Sequence, residues 1–273
     1  MIKEFADIYS NFNLAYEEIL AEIYFVLDIE FSLHKKDIIM GKKLASKDFN
    51  SAIKIFEERV KTHKPIQHIL NKALFMDDIF YVDENVLIPR DDTQVLVEKA
   101  KEIITQKNLS EILDLCTGSG IIAIELKKHT QKNIFASDIS LKALEISKKN
   151  AKQLNIDINF IHSDLFTHIN QKFDMIVSNP PYIPYSEKNN LQIEVQKFEP
   201  EIALFAENNG YYFYETIIKN SHKYLNQNGI LLFEIGINQA ETIKQLFRDN
   251  NYTNIFVEKD VTGIDRVIGA YIK

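Results

Sequence analysis

Apolar residues recur in two different rhythms along this chain, and the change falls near residues 83 to 90. Upstream, Leu14, Ile19, Ile23, Val26 and Leu27 fall at helical spacing, and Phe49, Ile53, Phe56 and Val60 repeat it. That periodicity predicts a small bundle of short amphipathic helices over 1–72. Lys64-Pro65 interrupts the pattern. Ala73-Leu74-Phe75-Met76, Asp77-Asp78 and Ile79-Phe80-Tyr81-Val82 then read as strand, two-residue turn and strand. This predicts a β-hairpin linker over 73–90, although the turn lacks the glycine that two-residue hairpins favour.

From Glu111 the rhythm becomes alternating strands and helices, the pattern of a parallel sheet with crossover helices. Strands are expected at 111–116, 133–138, 158–162, 173–178, 229–235, 254–259 and 265–272. Helices are expected near 119–129, 140–154, 210–226 and 238–250, with Ser140 and Asn238 as N-caps. The last two strands are joined only by a tight connection through Val261-Thr262-Gly263-Ile264. So short a link cannot make a parallel crossover, and the final strand should therefore run antiparallel. The fold class is α/β over 91–273: a Rossmann-like, seven-stranded, mostly parallel sheet beside the helical amino-terminal domain.

Chemistry enters at the end of the strand beginning at Phe173, where the chain reads Asn179-Pro180-Pro181-Tyr182. Open α/β sheets keep their ligands at the carboxyl ends of strands. The lone pair of an amide or exocyclic aromatic amine is delocalised, so such a nitrogen is a poor nucleophile unless acceptors hold its hydrogens. An Asn side-chain oxygen and the Pro180 carbonyl can do so without charge. Two prolines stiffen the loop, and Tyr182 offers a flat face for a planar group. Asn179, Pro180 and Tyr182 are therefore the candidate catalytic residues.

A second signal is Ile112-Leu113-Asp114-Leu115-Cys116-Thr117-Gly118-Ser119-Gly120, a buried strand running into a glycine-rich turn, followed by Asp138 at the tip of the next strand. Glycines admit a ligand to the backbone, and the carboxylate can accept from both ribose hydroxyls. A dinucleotide fold has the same outline. Here Ala123 stands at the third glycine position, which favours S-adenosylmethionine while leaving NAD open. After the third strand, His162-Ser163-Asp164-Leu165-Phe166 can place Asp164 near an adenine amine and Leu165 or Phe166 against its face. Asp164 as a simple turn cap is the alternative.

Composition narrows the field. The 273 residues carry a net charge of −7 and 45% hydrophobic content, ordinary for a globular protein. The acidic balance favours a protein or small-molecule substrate over nucleic acid. No apolar run approaches the ~20 residues a bilayer span needs, and the acidic amino terminus is unlike a signal peptide, so a cytoplasmic location is expected. Cys116 is the only cysteine and the seven His are scattered, so no metal is expected.

Taken together these segments resemble the bacterial peptide-chain release factor glutamine methyltransferases over essentially the whole chain. The resemblance is carried by Pro65-Ile66-Gln67-His68-Ile69, Val86-Leu87-Ile88-Pro89-Arg90, the glycine-rich turn, Asn179 to Tyr182 with Ile183, Phe198-Glu199-Pro200 with Ala203-Leu204, Phe233-Glu234-Ile235-Gly236 with Gln239, and Asp265-Arg266-Val267. Asn-Pro-Pro-Tyr is shared with adenine methyltransferases of DNA and some ribosomal RNA enzymes, so Ile-Pro-Arg and Phe-Glu-Pro are what point to glutamine. The resemblance implies a class I methyltransferase fold and methyl transfer from S-adenosylmethionine to the glutamine nitrogen of a Gly-Gly-Gln loop in class I release factors. A ribosomal-protein glutamine or a nucleic-acid amine is the alternative substrate. It implies cofactor contacts at Cys116, Thr117, Gly118, Ser119, Gly120, Asp138, Leu165 and Asn179, and substrate contacts at Asn179, Pro180, Pro181 and Tyr182. The helical domain is implied to bind the release factor. Three departures stand out: Cys116 and Asn71 where the family has glycine, and Asp91-Asp92-Thr93-Gln94 where it has Pro-Glu-Thr-Glu. Asn71 can itself adopt positive φ.

Overall fold

A computed structural model describes residues 1–272. By contacts the chain forms two units, one of Met1–Asn71 with Gln192–Phe198, the other of Lys72–Leu191 with the chain from Glu199 onward.

The first unit is built from α1 (Ile2–Ile8), α2 (Tyr16–Phe31), α3 (Lys35–Ile39), α4 (Ser46–Thr62) and α5 (Ile66–Leu70). Ile19, Ile23, Val26, Leu27 and Phe56 are buried together with Phe5 and Tyr9, while Leu14, Phe49, Ile53 and Val60 pack on the rim. The helical period thus maps onto the core. Asn71 closes α5 in the left-handed region at φ 52°, so an Asn fills the left-handed cap position that glycine most favours. Buried Arg59 pairs with Glu22 at 3.0 Å and with Glu194 of Gln192–Phe198 at 3.0 Å.

The second unit starts with a hairpin, β1 (Ala73–Phe75) and β2 (Asp78–Phe80), in which Phe75 pairs with Asp78. Its turn is therefore Met76-Asp77, one residue earlier than the sequence suggested. Met76 adopts φ 52°, the positive φ that a two-residue turn demands at its first central position. The hairpin is part of this unit and does not form a separate linker.

Strands β3 (Glu111–Leu115), β4 (Asn133–Asp138), β5 (Asn159–His162) and β6 (Phe173–Ser178) follow. A short parallel pair, β7 (Ile183–Pro184) with β8 (Phe205–Ala206), lies apart from β9 (Leu225–Glu234), β10 (Thr253–Lys259) and β11 (Asp265–Tyr271). The main sheet has the order β10-β11-β9-β6-β3-β4-β5. All pairs from β9 to β5 are parallel, and β11 runs antiparallel between β9 and β10, as the short final connection required. Alternation splits each strand between two cores. Ile112, Met175, Val177, Ile230 and Leu232 face α6 (Thr93–Lys107) and α7 (Ile121–Thr130), whereas Leu113, Ile176, Leu231 and Phe233 face the opposite helices. Between β6 and β9 run α9 (Ile193–Phe198), α10 (Glu201–Leu204), the single turn α11 (Glu207–Gly210) and α12 (Tyr212–Ser221); α8 (Leu141–Gln153) follows β4 and α13 (Ala240–Asp249) follows β9.

Ser140 caps α8 by accepting from the Ala143 N–H at 3.2 Å. Asn238 does not cap α13. It sits at φ 66°, and the cap position passes to Gln239. Strand β9 begins at Leu225, where a helix was expected to continue to 226, because α12 already ends at Ser221. Helix α6 was not anticipated. No helix among the described residues is long and apolar enough to cross a membrane.

Candidate active site

Strand order reverses between β3 and β6, and at such a switch point the loops after neighbouring strands diverge and leave a crevice. The loop after β3 turns sharply, with Cys116 at φ 64°, Gly118 at φ 55° and Gly120 at φ 86°. Nothing lies within 4 Å of the position a Gly118 Cβ would take, so the backbone there is open to a ligand. Gly120 has a different task. A Cβ on it would lie 2.8 Å from Ser147 Cβ, so the glycine lets the start of α7 pack on α8.

Two carboxylates brace this turn. Asp114 is fully buried and accepts from Thr117 Oγ1 at 2.5 Å and the Ala123 N–H at 3.2 Å. Burial pushes it up to about 7. Asp138 accepts from the Gly118 N–H at 2.9 Å and the Ser140 N–H at 2.8 Å. Burial raises its pKa as well, against these backbone donors. Each Asp138 oxygen keeps a lone pair for a further donor.

A cavity of about 290 Å³ opens over the turn. Cys116 to Ser119 form its floor, Ser137 to Ser140 one wall, and Ser163, Asp164 and Leu165 another. The Ser163 hydroxyl donates to the Leu165 carbonyl at 2.7 Å and accepts from the His168 N–H at 3.0 Å. Ser163 is thus the side chain that organises this turn, and the Asp164 carboxylate stays exposed at the cavity edge. Val86, Leu87, Pro89 and Arg90 close one side, and Ile202, Ala203, Tyr212 and Phe213 another.

Asn179 and Pro181 reach the cavity wall; Pro180 and Tyr182 do not. Tyr182 was expected to offer its ring to a ligand. Instead its hydroxyl is aimed at Glu234 Oε1 at 3.5 Å, and its carbonyl accepts from Gln239 Nε2 at 3.2 Å. Gln239 Oε1 in turn accepts from the Gly236 N–H at 2.9 Å. A Cβ on Gly236 would sit 3.1 Å from the Tyr182 ring, and one on Gly210 would sit 2.3 Å from the Tyr182 carbonyl. Gly210 is required by this close fit, and Gly236 leaves the Tyr182 ring the room it takes. Burial lifts the Tyr182 hydroxyl well above its ordinary value. Pro180 is buried, and its carbonyl takes no backbone N–H among the described residues.

Several contributors lie in segments whose pairing the sequence alone does not reveal. Arg90 of Ile-Pro-Arg forms an ion pair with Glu199 of Phe-Glu-Pro, and the other Glu199 oxygen accepts from the Ile88 N–H at 3.4 Å. Asn179 Nδ2 donates to Thr93 Oγ1 at 3.4 Å. Thr93 belongs to the Asp91-Asp92-Thr93-Gln94 departure, and Asp92 pairs with Arg266 at 2.9 Å. The shared segments near Glu199, Glu234 and Arg266 thus assemble around the Asn179 loop.

A sheet of this order with a glycine-rich turn and Asn-Pro-Pro-Tyr at adjacent strand ends defines a class I methyltransferase, a class that uses S-adenosylmethionine. The model of the methyltransferase small domain matches residues 91–197. The chain is 38% identical over 263 residues to a release factor glutamine methyltransferase of Flavobacterium psychrophilum, covering 92% of this chain and 91% of that one. It is 37% identical over 257 residues to a bifunctional methyltransferase of Rickettsia bellii, covering 83% of this chain and 46% of that protein; the chain thus spans about half the length of that relative. Among solved structures, the ribosomal protein L11 methylase of Lactobacillus delbrueckii subsp. bulgaricus superposes with a TM-score of 0.50 at 25% identity, over 68% of this chain and 79% of that one. The chain belongs to the release factor glutamine methyltransferase family.

Proposed function

We propose that this protein transfers a methyl group from S-adenosylmethionine to the side-chain nitrogen of a protein glutamine, the one in the Gly-Gly-Gln loop of class I release factors. The similarity to the Flavobacterium enzyme along nearly the full length of both chains carries this reading. The cavity fits the donor chemically. The open Gly118 backbone can admit a ligand, Asp138 can accept from ribose hydroxyls, and Asp164 and Leu165 on the cavity wall can serve an adenine amine and ring face. Cys116, Thr117 and Ser119 complete that floor, with Gly120 supporting it from below. When bound, the cofactor supplies a methyl group on a sulfonium, which leaves as a neutral thioether, S-adenosylhomocysteine.

The protein's part is to bind and orient. Asn179 Oδ1 and the Pro180 carbonyl accept the two amide hydrogens of the glutamine, which turns the nitrogen lone pair toward the donor. Pro181 stiffens the loop and Tyr182 fixes it from behind through Glu234, Gly236 and Gln239. No general base is required before bond formation, since the nitrogen becomes acidic only once it carries the methyl. The helical unit, Met1–Asn71, is assigned to engaging the release factor, and the proposed location is the cytoplasm. Mass spectrometry of a class I release factor incubated with this protein and S-adenosylmethionine tests the reading: a gain of one methyl on the Gly-Gly-Gln glutamine supports it, and an unmodified peptide overturns it.

A further inference from the structure

S-adenosylmethionine is charged at its amino-acid end as well as at its sulfur, and Asp138, Asp164 and Leu165 account only for its nucleoside. The tail brings a carboxylate, and a carboxylate leaves water at low cost only where a cation or several donors meet it. Among the described residues that line the cavity, Arg90 is the one cation, and the acids are Asp138 and Asp164. Val86, Leu87 and Pro89, on the same wall as Arg90, are apolar. That stretch of wall offers an anion no other side chain.

Arg90 is also held ready for such a task. Its Nη2 donates to Glu199 Oε1, and the other Glu199 oxygen accepts from the Ile88 N–H at 3.4 Å. The Glu199 side chain is 1% exposed, so the guanidinium is anchored from the protein side. A guanidinium carries five N–H groups in a rigid planar fork. Among the described residues Arg90 gives this one side-chain hydrogen bond, which leaves Nε–H and both Nη1 hydrogens without a protein acceptor. The Arg90 side chain is 39% exposed and lines the cavity. Its carbonyl accepts from the Thr93 N–H at 3.1 Å, and Thr93 Oγ1 accepts from Asn179 Nδ2 at 3.4 Å. Two hydrogen bonds thus tie Arg90 to the residue assigned to the acceptor nitrogen.

We propose that Arg90 is a cofactor-binding residue whose guanidinium takes the α-carboxylate of S-adenosylmethionine, with Glu199 holding it in place. This deepens the proposed function and rests on its choice of cofactor. A hold on the ribose at Asp138 and another on the carboxylate at Arg90 restrain the molecule on both sides of its sulfur, which sets the direction of the methyl group. Arginine suits this better than lysine, because two parallel N–H groups match two carboxylate oxygens.

The test compares S-adenosylmethionine with its decarboxylated form, which keeps the nucleoside, the sulfonium and the amine and lacks the carboxylate. Calorimetry of each ligand, with no acceptor protein present, is run on the full chain, on Arg90→Met and on Arg90→Lys. A fourth protein combines Arg90→Met with Glu199→Leu, which removes the unpaired acid should the single variant fail to fold. The unsubstituted protein should bind S-adenosylmethionine about 10- to 100-fold more tightly than the decarboxylated form, the worth of a charge-assisted hydrogen bond. In Arg90→Met and in the double variant that preference should shrink to about threefold or less, through loss of S-adenosylmethionine affinity alone, while Arg90→Lys keeps part of it. Equal weakening of both ligands would show a purely structural role and overturn the proposal. So would a full preference surviving in Arg90→Met, or no preference in the unsubstituted protein. Because no methyl acceptor takes part, an unmodified release factor would remove the substrate assignment and leave this comparison to decide the role of Arg90.

Discussion

Arg90 and Glu199 stand 109 residues apart in the chain and form an ion pair beside the cavity, with the Glu199 side chain 1% exposed. Arg90 lines the cavity itself. The pair therefore joins the segment before α6 to the segment before α10 and ties Ile-Pro-Arg to Phe-Glu-Pro in this chain. Removing the arginine leaves a buried carboxylate with one long hydrogen bond. Arg90→Ala should cost about 1–3 kcal/mol of stability and weaken cofactor binding, measured by urea unfolding and calorimetry. Adding Glu199→Leu should restore much of the stability, since no unpaired charge remains.

Cys116 occupies a left-handed conformation, φ 64°, that favours glycine. Its side chain adds strain of about 1–2 kcal/mol, offset in part by the greater freedom a glycine has in the unfolded chain. Cys116→Gly should leave S-adenosylmethionine affinity and stability nearly unchanged. Cys116→Val, branched at Cβ, should lower both. Calorimetric titration of the two variants against the unsubstituted protein checks the pair.

Asp138 combines two backbone N–H groups with a proposed hold on the ribose. Asp138→Asn retains one acceptor and loses the charge, so cofactor affinity should fall about 10- to 100-fold, the worth of a charge-assisted hydrogen bond. The thermal midpoint should fall as well, because the Asn NH2 would face one of the two backbone N–H donors. An unchanged affinity would remove Asp138 from the cofactor site.

Stability should depend on pH through Glu234. Burial holds its folded-state pKa at about 7, against an ordinary value of 4.5. Between these values the folded state binds more protons than the unfolded one, so this contribution to stability falls as pH rises from 5 to about 7 and is lowest above that. The effect is at most about 3 kcal/mol. Asp114, also lifted to about 7, adds a slope of the same sign. Glu234→Gln should flatten the profile and be more stable at pH 8, as read from urea midpoints at pH 5, 6, 7 and 8.

Local physics accounts for what was legible in the sequence. Ser140 caps α8 because a cap needs only its own next three residues, and the antiparallel β11 followed from the length of one loop. The hairpin turn slipped by a residue because Met76, an unusual choice for positive φ, carries the left-handed position. Asn238 has the composition of a cap, yet the Gln239 contact with Gly236 draws it out of that role. The site divides in the same way. Cys116 to Ser119, Asp138, Asp164, Leu165, Asn179 and Pro181 meet at one cavity because strand ends bring them there. The direction of the Tyr182 ring depends on Gly210, Gly236 and Glu234, all distant in sequence. The Arg90 to Glu199 pairing was equally invisible, since a motif shows which residues recur together and not which ones touch.

Asn179→Ala should lower methyl transfer by about 100-fold or more while leaving much of the cofactor affinity, as followed by single-turnover kinetics and calorimetry. Turnover near that of the unsubstituted protein would remove the amide-holding role.

The most direct measurement is transfer from labelled S-adenosylmethionine with four acceptors in parallel: a class I release factor, its Gly-Gly-Gln variant with Gln→Ala, RNA and DNA. Label on the intact release factor alone is the predicted result. Label on nucleic acid, or on the Gln→Ala factor as strongly as on the intact one, would contradict the assignment of glutamine as the methylated residue.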